Sequence, residues 1–129
     1  MSPNRFAAQD RVAPASDHIL TGPVTLMNSF AVSPDQDEAF RELWTKTARY
    51  FTARPGFISL RLHRAASADA PYRWVNVANW ESEAHFRAAH GTDEFRRVVT
   101  QPGWEDFPSS PMLYQVVTEV GNDAAETVI

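Results

Sequence analysis

The fold of this chain is decided by residues 75–99, which read VNVANWESEAHFRAAHGTDEFRRVV. The valine-rich opening of this stretch is typical of a buried strand, which ends at Trp80. Ser82 is a good N-cap, so a helix is predicted to begin directly after the strand. Gly91 interrupts that helix, and Thr92 can cap a second helical segment. The junction of strand and helix therefore gathers four side chains suited to a pocket: Trp80, His85, Phe86 and His90.

A strand and a helix are predicted ahead of this junction. Residues 24–32 alternate, so that one face carries apolar side chains together with the polar Asn28. The segment Ser33-Pro34-Asp35-Gln36 is a helix start, with Ser33 as the cap and Gln36 completing a capping box. The helix is predicted to end at Arg54-Pro55-Gly56. Its apolar stripe consists of Phe40, Leu43, Trp44, Thr47 and Phe51.

Three more strands are needed to complete the sheet. Residues 57–63 alternate between apolar and polar side chains and are predicted as the second strand, and residues 72–80 are predicted as the third. Residues 112–120 are predicted as the fourth, after a proline-rich loop over 101–111. The bulky Trp104 and Phe107 in this loop are expected to cover a ligand or, preferably, a partner subunit. One face of the second strand is predicted to carry Ile58, Leu60 and Leu62, and the other Ser59, Arg61 and His63.

The predicted order is strand, helix, strand, strand, helix, strand. This order indicates an α+β fold, in which a ferredoxin-like βαββαβ unit places two helices on one face of a largely antiparallel sheet. A single domain is predicted over 22–120, with a flexible extension over 1–21 and a tail over 121–129. A second copy of the chain would cover the other face of the sheet, so a homodimer is expected. The residues predicted on that face are Thr25, Met27, Ile58, Leu60, Val75 and Val77.

Composition excludes several classes of function. The formal charge of −4 and the scattered arginines give no basic surface for nucleic acid. There is no cysteine, hence no disulfide, thiolate metal site or thiol nucleophile. Apolar runs are too short to span a membrane and no signal peptide is present, so a cytoplasmic location is expected. Glycine-rich nucleotide fingerprints are absent, which leaves flavin and nicotinamide without support.

The residues at the junction and on the first strand resemble the antibiotic biosynthesis monooxygenase family over about residues 22–120. The resemblance rests on Asn28, Pro55-Gly56-Phe57, Trp80-Glu81-Ser82, Phe86 with His90, and Phe95. It implies a dimeric α+β barrel. It also implies a cofactor-free enzyme that oxidises an aromatic, polyketide-like phenol or anthrone with dioxygen. Such an enzyme binds the substrate, accepts a proton and excludes water.

The resemblance suggests roles for particular side chains. Asn28 would donate to a substrate oxygen, Trp80 would stack on the ring system or donate through its indole, and His90 or His85 would take the proton. Arg61 or His63 would stabilise a phenolate if their strand face lines the cavity. Trp44, Phe86 and Trp104 are candidate walls. The same residues could instead have structural roles. Asn28 would then be a hydrogen-bonded core amide, Trp80 would pack between helix and sheet, and His90 would cap a helix.

Three other functions remain open at this stage. The first is a non-oxidative binding or cyclase-type protein for a biosynthetic intermediate, and the second is a dimeric domain without enzymatic activity. The third is haem binding or degradation, but Ala89 and Val99 occupy the positions where haem-degrading relatives carry a helical Trp and an axial His. His85 and His90 lie five residues apart, which does not suit a metal site on one helix face.

Overall fold

The computed structural model describes residues 20–122, which form one four-stranded antiparallel sheet and three α-helices. The strands lie in the order β2-β3-β1-β4. The predicted α+β fold is therefore confirmed. The strands are β1 (Val24–Phe30), β2 (Phe57–Arg64), β3 (Trp74–Trp80) and β4 (Ser109–Tyr114), and the helices are α1 (Asp37–Phe51), α2 (Glu83–Ala89) and α3 (Asp93–Val99).

The helices cover one face of the sheet. On β1 the residues Val24, Leu26, Asn28 and Phe30 are buried, as their alternation predicts. The burial pattern of β3 alternates in the same way, and Trp74, Asn76, Ala78 and Trp80 point to the covered face. Two aromatic-rich clusters fill the space between sheet and helices.

Within residues 20–122, no helix is both long and apolar enough to pass through a bilayer.

Helix α1 is joined to the sheet by an ionic network at its first residue. A short 3-10 turn over Pro34–Gln36 precedes it. Ser33 Oγ donates to the Gln36 side chain at 2.9 Å rather than capping a backbone N–H, so the predicted capping box is not formed. Arg73 donates to both carboxylate oxygens of Asp37, at 2.6 and 2.9 Å. These bonds hold the pKa of Asp37 below its ordinary value.

The second strand departs from simple alternation. A β-bulge lies between Phe57 and Ser59, because Phe57 pairs with Trp80 while Ser59 already pairs with the adjacent Asn79. The prediction that Ile58 and Leu60 share a face is therefore wrong. Ile58 is the extra residue and is exposed, whereas Leu60 packs against the core beneath the helices.

The turn before β2 makes close contact with the start of α2. Gly56 has a φ of +81°, and a Cβ atom on it would lie 2.2 Å from His85 Cγ. Glycine is required there both by the backbone conformation and by the approach of the imidazole. The caps of the two short helices are as predicted: Ser82 accepts from the backbone N–H of His85, and Thr92 from that of Phe95.

Tyr50 connects α1 to the turn between α2 and α3. Its hydroxyl donates to the Ala89 carbonyl at 2.6 Å and lies 2.5 Å from Thr92 Oγ1. Because the Ala89 carbonyl accepts the single phenolic proton, the Thr92 hydroxyl donates to Tyr50. A side chain of α1 therefore holds the corner at which α2 ends.

The loop before β4 is predicted to cover a ligand or, preferably, a partner subunit, and the partner-subunit interpretation is wrong. Trp104 and Phe107 are buried against Phe30 and Phe40 in the second core cluster. The Trp104 indole also donates to Thr47 Oγ1 at 3.1 Å. Strand β4 begins at Ser109 and ends at Tyr114, earlier than the predicted 112–120, because its pairing follows the length of β1. Most of the predicted extension and tail lies outside the described residues.

Candidate functional site

A cavity lies between α1 and the covered face of the sheet. It holds about 570 Å³ of empty space when its mouth is included. Side chains from β1, β2 and β3 form the floor, and the helices and the loop before β4 form the walls. Most of its lining is apolar or aromatic, as in small-molecule sites generally. The lining residues are Leu26, Asn28, Phe30, Trp44, Thr47, Ala48, Phe51, Leu60, Asn76, His90, Phe95, Val99, Trp104 and Ser109.

Two amide side chains lie side by side in the floor. Asn28 on β1 and Asn76 on β3 are register partners, and both are buried. The Oδ1 atom of each is buried without a hydrogen-bond partner. A buried polar group left unsatisfied costs about 1–3 kcal/mol. Sequence analysis missed Asn76, although the alternation of β3 between Trp74 and Trp80 would have placed it on the face of Asn28.

His90 closes the inner wall of the cavity. It is the C-terminal cap residue of α2, and its Nδ1 lies 2.7 Å from the Phe86 carbonyl oxygen. A carbonyl oxygen only accepts, so Nδ1 carries the proton and Nε2 of the neutral ring is an acceptor. The ring lies 4.2–5.0 Å, centroid to centroid, from three phenylalanine rings: Phe51, Phe86 and Phe95.

This aromatic surrounding sets the charge state of His90. Burial disfavours the imidazolium and lowers the pKa of His90 to about 4, and the nearby Arg87 acts in the same direction. The hydrogen bond to the Phe86 carbonyl opposes the shift. At neutral pH, His90 is therefore a neutral acceptor in an apolar wall.

Trp80 lies beneath this wall rather than in it. It is 1% exposed, is not among the lining residues, and packs 6.0 Å from the His90 ring centroid. Its indole Nε1 is buried without a hydrogen-bond partner. The position agrees with the structural interpretation of Trp80, in which the indole joins sheet and helix.

The other predicted site residues are divided between the cavity and its surroundings. Trp44 and Trp104 line the cavity, whereas Phe86 is not among the lining residues and packs against the His90 ring at 4.2 Å, centroid to centroid. His85 lies outside, with Nδ1 at 2.7 Å from the Ser82 hydroxyl. Arg61 and His63 lie on the opposite face of the sheet, where they pair with Val77 and Val75. The structure does not bring the last three residues to the cavity, and their roles in binding or proton transfer stay predictions.

The sequence that forms most of the cavity matches a known protein family. Residues 23–101 match the family description of antibiotic biosynthesis monooxygenase. The chain belongs to the antibiotic biosynthesis monooxygenase family. The matched segment holds most of the cavity residues, including the amide pair and His90.

Individual members of the antibiotic biosynthesis monooxygenase family show the same relationship. The chain is 33% identical over 89 residues to deoxynogalonate monooxygenase of Streptomyces nogalater, covering 69% of this chain and 65% of that protein. It is 37% identical over 67 residues to tetracenomycin-F1 monooxygenase of Streptomyces glaucescens, covering 51% and 57%. The matches span less than two thirds of either relative.

A solved structure agrees with both the fold and the sequence. SnoaB, a cofactor-independent oxygenase from Streptomyces nogalater, superposes with a TM-score of 0.65 at 26% identity. The superposition covers 78% of this chain and 98% of SnoaB.

The prediction that disfavours haem degradation rests on two positions. Ala89 and Val99 are both buried, and Val99 lines the cavity with an alkyl side chain that cannot ligate iron. Among residues 20–122, no group of three or more His, Asp or Glu side chains is arranged to hold a metal ion.

Proposed function

We propose that this chain is a cofactor-independent monooxygenase that oxidises an aromatic, polyketide-like phenol or anthrone with dioxygen. The observation that carries the proposal is the set of polar groups that line the cavity: unpartnered amide oxygens on Asn28 and Asn76, and the neutral imidazole of His90. Acceptors in mostly apolar walls suit an aromatic ligand with hydroxyl donors. The similarity to deoxynogalonate monooxygenase, tetracenomycin-F1 monooxygenase and SnoaB supports the same chemistry.

In this proposal the protein prepares the substrate and the substrate reduces dioxygen. The amides orient a substrate hydroxyl, and His90 Nε2 accepts the proton whose loss makes the ring system electron-rich. Negative charge growing on the ligand raises the pKa of His90 from its low resting value and favours the transfer. When an anthrone is oxidised, its methylene carbon loses two hydrogens and gains one oxygen atom as a carbonyl. The second oxygen atom leaves with those hydrogens as water.

Oxygen uptake by an anthrone tests the proposal directly. The purified protein is expected to accelerate quinone formation under air, consuming one dioxygen per quinone, with no reaction under argon. A chelator and the omission of flavin and nicotinamide should leave the rate unchanged. A rate independent of protein would overturn the proposal for this substrate class. Product formation without oxygen uptake would support a non-oxidative binding or cyclase-type protein.

We also propose that the chain forms a homodimer through the uncovered face of the sheet. Met27 and Met112 are register partners on this face and are 41% and 47% exposed, and Val75 and Val77 continue the apolar surface across β3. A second copy would remove these side chains from water.

Sedimentation is expected to give twice the 14.5 kDa mass of the chain at micromolar concentration. Met27→Glu should shift the protein to the single-chain mass, because the interface would have to bury a carboxylate in an apolar surface. Lys46→Glu on the exposed surface of α1 is the control and should remain dimeric. A wild-type protein that sediments at the single-chain mass would contradict the proposal.

A further inference from the structure

A second, open space adjoins the cavity and differs from it in charge. This cation groove is lined by Arg41, Trp44, Thr45, Leu62, Arg64 and Trp74. Its lining includes two arginines, although the chain as a whole carries a net charge of −4. Trp44 belongs to both spaces, since it also lines the cavity.

The two spaces follow one another along the same pair of elements. On β2 the side chains of Leu60, Leu62 and Arg64 share a face, the first in the cavity and the other two in the groove. Four strand residues span about 13 Å. On α1 the order is Ala48 in the cavity and Arg41 in the groove, seven helical residues or about 10 Å apart. A ligand of several fused rings has the length to reach from the amides to the arginines.

Within the described part of the chain, the carboxylates near the groove leave its two arginines without an ion-pair partner. Among residues 20–122, neither Arg41 nor Arg64 forms an ion pair. Asp37 interacts electrostatically with Arg64, but its two oxygens are already engaged by Arg73. The Arg64 guanidinium lies 5.6 Å from the centroid of the Trp74 ring, which holds it beside the groove. Glu38 and Glu42 flank Arg41 on α1 without pairing with it.

We infer that the cation groove is a subsite for a carboxylate on the ligand whose aromatic rings occupy the cavity. The ring system would lie along Trp44, with its carboxylate between Arg41 and Arg64. Guanidinium groups suit carboxylates because their N–H donors match the two oxygens. The inference rests on the proposed function for the identity of the ring system and adds that the substrate is an aromatic acid.

Binding of a ligand that cannot be oxidised tests the subsite alone. Anthracene-2-carboxylate and its neutral carboxamide have nearly the same shape, and the fluorescence anisotropy of either reports binding. At low salt, the carboxylate is expected to bind about 10-fold more tightly than the carboxamide, in line with a charge-assisted hydrogen bond. Half-molar salt should remove most of this preference.

Variants that remove one positive charge test which arginines cause the preference for the carboxylate. Arg41→Gln and Arg64→Gln should each reduce the preference to about 2-fold or less, and Arg64→Lys should restore part of it. Arg49→Gln, which removes an exposed cation of α1 outside the groove, is the matched control and should keep the full preference. Equal affinities for the two probes, or an equal loss in Arg49→Gln and Arg41→Gln, would overturn the inference.

Turnover separates this inference from the proposed function. If the carboxylate preference depends on Arg41 and Arg64 but no anthrone is oxidised, the subsite stands and the oxygenase proposal fails. If an anthrone carboxylate and its carboxamide are oxidised with the same kcat/KM, the oxygenase stands and the subsite fails.

Discussion

Asn28→Leu and Asn76→Leu are each expected to oxidise substrate roughly 100-fold more slowly than the wild type, the effect typical of removing one preorganised polar contact. Both variants should also be more stable. Leucine has the same branched heavy-atom skeleton as asparagine, and the cavity beside each side chain leaves room for its larger methyl groups. Each substitution also removes a buried oxygen that has no hydrogen-bond partner. We expect the free energy of unfolding to rise by about 1–3 kcal/mol in each variant. Steady-state oxygen uptake and urea denaturation measure the two effects.

Asn79→Ala provides a contrast on the same strand. The Asn79 amide points to the opposite face of β3 and is satisfied, since it accepts from Thr25 Oγ1 at 2.7 Å and donates to Ser59 Oγ at 2.9 Å. Its removal should lower stability by about 1 kcal/mol and leave turnover unchanged. If the Asn28 and Asn76 variants lose stability as Asn79→Ala does, the amide pair is structural and the proposed site loses its main support.

The wild-type protein is expected to lose roughly 3 kcal/mol of stability through His90 as the pH falls from about 6.5 to about 4. In this window His90 is protonated in the unfolded chain but neutral in the folded one. The unfolded state therefore binds more protons, and acid favours it. The contribution is complete above pH 6.5, and no further change from His90 occurs below about pH 4.

His90→Phe should remove this part of the pH dependence, because phenylalanine fills the aromatic wall without a titratable group. Urea unfolding at pH 7 and at pH 4.5 in both proteins isolates the difference, since the other titrating groups are common to both. Turnover of the variant should fall by about 100-fold, as for loss of a general base. An unchanged pH dependence would show that His90 is not held neutral. An unchanged rate would remove His90 from the proposed mechanism.

The main features of the fold could be predicted because local signals agreed with one another. The alternation of residues 24–32, the cap at Ser82 and the strand end at Trp80 all depend on neighbouring residues only. The bulge at Ile58 could not be predicted, because one extra residue is visible only in the cross-strand register. The burial of Trp104 and Phe107 within the chain could not be predicted for a similar reason: a proline-rich loop gives no sign of folding back into the core.

The candidate site was only partly predictable. Asn28 and His90 stand out as polar residues in apolar surroundings, and the structure places both at the cavity. The pairing of Asn28 with Asn76 depends on which strands are neighbours, and β1 and β3 are far apart in the chain. The placement of Arg61 and His63 away from the cavity depends on which face of the sheet the helices cover.

The bridge made by Tyr50 has a consequence for how the helical layer opens. Helix α1 carries Trp44, Thr47, Ala48 and Phe51 of the cavity wall, and through Tyr50 it holds the corner that ends in His90. The amides of α1 and of residues 89–92 are therefore expected to exchange with deuterium as one cooperative unit. A ligand bound in the cavity would slow exchange across this whole unit, including backbone groups that the ligand never touches.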